Sequence, residues 1–115
     1  MSEAIRRDLR EMLAYLQDRA PSPKPVKLRV IKREAARSWG ITYAQPRRFE
    51  IVLFLEGSCA KCKQLTCAHA AIAQETLLHE YAHVLSYREP RLLTDYDLEW
   101  GLWYAKLYYL WRGPH

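Results

Sequence analysis

Two histidines four residues apart, with a glutamate directly after the first, carry the most specific chemistry in this chain: His79-Glu80-Tyr81-Ala82-His83. The surrounding residues 67–87 are rich in Ala and Leu and read as a helix that Pro90 closes. On a helix, positions i and i+4 share one face about 6 Å apart, so the two imidazoles can converge on one metal ion. Zinc accepts imidazole nitrogen at about 2.0–2.1 Å. Glu80 then lies beside the metal rather than on it. A carboxylate in that position accepts a proton from a water that the metal has acidified. The bare pattern also arises on ordinary amphipathic helices. Here Leu77, Leu78, Tyr81, Val84 and Leu85 flank the charged trio, as expected of a buried helix that turns the trio towards a cleft.

A second cluster sits upstream. Cys59, Cys62, Cys67 and His69 spell C-x2-C-x4-C-x-H within a loop over 57–69. Thiolates and an imidazole at that spacing can close a tetrahedral structural zinc site, which would organise a loop that lacks a core of its own. The competing reading is three idle thiols. Three cysteines make no even disulfide framework, and this CxxC does not open a helix after a βαβ strand, which argues against a thioredoxin-like role.

These residues must be positioned by a small set of elements. Ile5, Leu9, Met12, Leu13 and Leu16 fall on one face of a helix over 2–19, ended by the Pro21-Ser22-Pro23-Lys24-Pro25 run. Val26, Leu28 and Val30 alternate with Lys27 and Arg29 as a half-buried strand. Residues 39–44 read as a second strand and Gln45-Pro46-Arg47-Arg48 as a hairpin turn. Phe49–Leu55 is the most apolar strand, expected at the centre of the sheet or under its best cover. A last helix over 97–111 carries Trp100, Trp103, Tyr104, Leu107, Leu110 and Trp111, read as core aromatics rather than a base-stacking platform. The order predicts an α+β fold: an N-terminal helix, a three-stranded antiparallel sheet, the motif helix and a C-terminal helix.

At 115 residues the chain is the size of one domain, 1–115, and its eight Tyr and four Trp can supply much of a core. No apolar run reaches the roughly 18 residues of a membrane span. The N-terminal residues alternate charge with apolar side chains, unlike a signal peptide, so a cytoplasmic protein without a membrane partner is expected. The net charge is +5. Arg6, Arg7 and Arg10, then Lys24, Lys27, Arg29, Lys32 and Arg33, then Arg47 and Arg48, form basic groups compatible with a nucleic-acid or nucleoprotein partner. Solubilising charge accounts for them equally well.

Leu77-Leu78-His79-Glu80-Tyr81-Ala82-His83-Val84-Leu85, after a strand and before a helix carrying Trp100-Gly101 and Tyr104-Ala105, resembles the SprT-like minimal gluzincin metallopeptidases, small phage-type members included. The resemblance covers about residues 26–112. It implies a minimal zincin fold, one catalytic zinc and endopeptidase activity on a protein or peptide. Some relatives digest proteins crosslinked to DNA. It also implies a third ligand, a His, in a D-H-G-x-x-W/F pattern after the motif helix. The matching segment here is Asp95-Tyr96-Asp97-Leu98-Glu99-Trp100-Gly101, with Tyr96 where that His belongs. Asp97 or Asp95 supplies a carboxylate ligand, or Tyr96 ligates as a phenolate, or the third position is lost. Asp95 or Asp97 is also a natural N-cap for the last helix. Loss would leave a weak or inactive relative, a metal-stabilised protein- or DNA-binding module. In an active enzyme, Tyr81, Tyr87 and Tyr104 are candidate oxyanion stabilisers, and the sheet edge can accept an extended substrate by strand addition.

Overall fold

A computed structural model describes residues 3–33, 39–56, 68–88 and 97–113. The first helix, α1 (Glu3–Arg19), buries Ile5, Leu9, Met12, Leu13 and Leu16, the stripe that the sequence spacing predicts. It stops at Ala20, whose N–H bonds to Leu16 O at 2.7 Å, before the proline run removes further donors. Strand β1 (Val26–Arg33) follows. Its Val26, Leu28 and Val30 pack on the core while Lys27 and Arg29 are exposed. Strands β2 (Gly40–Ala44) and β3 (Phe49–Glu56) form the expected hairpin, closed by Gln45 N–H to Arg48 O at 2.9 Å.

The sheet order is β1-β3-β2, and the expectation of an antiparallel sheet needs correction. The β2–β3 pair is antiparallel but β1 runs parallel to β3, so the sheet is mixed. The reason is burial. Phe49, Ile51, Val52 and Leu53 gain most from neighbours on both sides, so β3 takes the centre and β1 cannot pair with β2, its neighbour in sequence. With β2 on one side of β3, β1 pairs on the other, in parallel, Val26 opposite Phe49.

Helix α2 (Ala68–Leu85) lies centrally, touching β2, β3, α1 and helix α3 (Leu98–Arg112). Its Leu77, Leu78, Tyr81 and Val84 are fully buried, against Phe49, Ile51 and Leu53 of the sheet and the stripe of α1. Each side chain of that size contributes about 1.5–3 kcal/mol when fully buried. Helix α3 runs antiparallel to α2. Trp100 Nε1 donates to His79 O at one end, and Trp111 Nε1 and Arg112 Nη2 both donate to Gln74 Oε1 at the other, each at 3.2 Å. Arg88 and Glu99 form an ion pair that joins the end of α2 to the start of α3. Among the described residues no helix is long and apolar enough to cross a membrane.

Candidate active site

The buried rows of α2 fix which way its remaining side chains point. With Leu77, Leu78, Tyr81 and Val84 committed to the core, His79 and His83 emerge together beside Trp100 of α3, one helical turn apart. Their ring centroids lie 5.1 Å apart. Trp100 of α3 holds both: its ring stands 4.8 Å from His79 and 5.3 Å from His83, while its indole N–H bonds to His79 O. This buttress has a signal in the sequence, the tryptophan of the Trp100-Gly101 pair. Sequence reasoning nevertheless assigned Trp100 to the core alone.

Glu80 is only 6% exposed, a costly place for a carboxylate without partners. Its Oε1 accepts a hydrogen bond of 2.7 Å from the Thr42 hydroxyl on β2. The other oxygen, Oε2, stands 3.8 Å from His79 Nε2. Both His79 and Glu80 open onto a cleft of about 470 Å³ whose walls include Trp39 and Gly40 at the start of β2, Thr76 of α2 and Tyr104 of α3. Strand β2 is the sheet edge on this side, so the start of the edge strand, His79 and Glu80 share one opening.

The three tyrosines that the sequence offers separate cleanly. Tyr81 is fully buried and its hydroxyl donates to Ala20 O at 2.6 Å, tying α2 to the end of α1. Burial, opposed by a hydrogen bond with the Ser22 side chain, pushes its phenol up to about 12. Tyr87 packs edge-on against Phe49, with the Lys24 ammonium 5.2 Å from its ring. Only Tyr104 lines the cleft, its ring 6.2 Å from His79 and 5.3 Å from Trp100. Burial raises its pKa, as do nearby Glu75 and Tyr108, while Arg112 opposes the shift. Its phenol therefore stays protonated and able to donate at neutral pH.

The two imidazoles suit half of a tetrahedral zinc site, both on one helix face and braced from behind. Among the described residues no three His, Cys, Asp or Glu side chains gather into a metal-holding group. Asp97 takes the N-cap position of α3 with extended backbone, φ −76° and ψ 133°, but makes no side-chain cap bond. What α3 lays against the histidines, one turn later, is Trp100. Asp95 and Tyr96 lie outside the described residues, as do Cys59, Cys62, Cys67 and the side chain of His69.

Several of the basic residues have intramolecular partners. Lys24 Nζ donates to Gln45 O at 2.6 Å and stands 4.8 Å over the Phe49 ring. Arg29 faces Glu50 across the β1–β3 pair at 3.7 Å, and Arg48 bonds Gln45 Oε1 at 3.0 Å within the turn. These contacts hold strands and turn in place. No protein-family model matches the chain, and neither does any curated protein or solved structure.

Proposed function

We propose that the protein is a zinc-dependent endopeptidase in which His79 and His83 hold the metal and Glu80 is the general base. One observation carries the reading: a nearly buried carboxylate held at Oε1, with Oε2 turned towards the first of two adjacent imidazoles at the mouth of a cleft. A purely structural metal site has no use for a base in that position. Bound zinc would act as a Lewis acid, lowering the pKa of water from 15.7 towards about 7. The chain's own groups do the rest. Glu80 Oε2 accepts the proton of the attacking water and passes it to the departing amine nitrogen. The Tyr104 hydroxyl donates to the oxygen of the scissile carbonyl as negative charge develops there. An extended peptide adds to β2 as a further strand, which brings its backbone past Glu80. The third ligand comes from Asp95, Tyr96 or Asp97.

The test is hydrolysis of casein or a quenched peptide by zinc-reconstituted protein, abolished by a chelator and recovered on adding zinc. Zinc-loaded protein that cuts nothing would leave the binding-module reading in its place. Two tyrosine variants check the assignment of the oxyanion donor. Tyr104→Phe is expected to lower kcat by about 10²-fold or more, the usual cost of one such donor, with zinc content unchanged. Tyr81→Phe is expected to leave kcat alone and to cost about 1 kcal/mol of stability in denaturant unfolding, because it orphans Ala20 O. The reverse pattern would move the role to Tyr81.

A further inference from the structure

We infer that Thr42 is the positioning residue for Glu80, a clamp on the edge strand that decides which carboxylate oxygen faces the site. The inference rests on the general-base reading of Glu80 but is carried by separate observations. Thr42 is 9% exposed, and its Oγ1 lies 2.7 Å from Glu80 Oε1 and 3.1 Å from Glu80 O. A threonine hydroxyl has one proton to give. The shorter contact takes the larger share of it, and the backbone oxygen the remainder. Oε1 is therefore engaged from the β2 side, and Oε2 is the oxygen left facing His79 Nε2 at 3.8 Å.

The clamp matters because the last torsion of a glutamate is soft. Rotation about a terminal sp³–sp² bond is broad and two-fold, so an untied carboxylate would swing both oxygens through the cleft. Misplacing a reacting group by about 1 Å can cost 10²-fold in rate. The chain also makes room for the clamp. Gly40 shares a strand face with Thr42, and a Cβ there would stand 2.8 Å from Thr76 Cγ2 and 3.0 Å from Glu80 Cγ. The absence of a side chain at position 40 lets β2 approach α2 closely enough for the hydroxyl to reach.

Two measurements test it. In zinc-loaded protein, Thr42→Val keeps the β-branched shape and loses the hydroxyl; kcat is expected to fall about 10²-fold, with KM and zinc content nearly unchanged. Thr42→Ser, which keeps the donor, should recover most of that loss, which a packing defect would not allow. In metal-free protein, a double-mutant cycle of Thr42→Val with Glu80→Ala, read by denaturant unfolding, should show coupling of about tenfold or more in the unfolding constant. Should Thr42→Val not fold, Thr42→Ala removes the same hydroxyl for both measurements. An additive cycle overturns the clamp whether or not the protein cuts peptides, and so does a coupled cycle with unchanged kcat. A coupled cycle in a wild type that cuts nothing supports the clamp and overturns the peptidase reading.

Discussion

Zinc-loaded Glu80→Gln is expected to keep its metal and fold and to lose about 10²–10⁴-fold in turnover, the contribution of a positioned general base. The amide is nearly isosteric with the carboxylate, so the packing of α2 should persist. Its oxygen can still accept the Thr42 hydroxyl bond seen at Oε1. What disappears is an oxygen at the Oε2 position that can take up a proton. Kinetics on a quenched peptide, paired with zinc content per chain, read both halves of the result. Loss of zinc in this variant would make Glu80 a ligand rather than the base. Full activity with zinc bound would place the base elsewhere.

His79→Ala and His83→Ala are each expected to remove one zinc equivalent per chain and, with it, all measurable hydrolysis. In the proposed site each imidazole would supply one of the ligands, and the remaining one would not hold zinc alone against a chelator. Trp100 braces both rings from α3, so removing one ring leaves a gap rather than a collapsed helix; the fold should survive as judged by circular dichroism. Elemental analysis is the direct count. The same count on Cys59→Ser/Cys62→Ser asks whether the upstream cluster holds a second ion. Tyr96→His, which restores the ligand implied by the resemblance, should raise zinc affinity in chelator competition. Unchanged stoichiometry in both histidine variants would end the zinc peptidase reading.

Much of the scaffold was legible in the residues because local rules and burial agree there. The stripe Ile5, Leu9, Met12, Leu13 and Leu16 is buried on α1 as its period demands. The proline run ends α1, the 45–48 turn closes the hairpin, and the most apolar strand takes the centre of the sheet. The direction of β1 was not legible. Alternation tells which face of a strand is buried and is blind to which way a neighbour runs.

The candidate site divides along the same line. By itself the sequence determined that His79, Glu80 and His83 share a helical turn, because 3.6 residues per turn is a property of the backbone and needs no tertiary contact. It also determined that this helix is buried, from the apolar residues around the trio. Only the tertiary structure decided what meets the trio. Thr42 is 38 residues from Glu80 in sequence and carries no local signal of its contact; Trp100 is 21 from His79, and the Trp100-Gly101 pair marks the residue without saying what it meets. Three equivalent tyrosine candidates became one because α2 turns Tyr81 into the core while α3 brings Tyr104 to the cleft. Periodicity specifies what lies on one face of one element. Which elements then face each other is set by the burial of all of them together, and that information is spread over the whole chain.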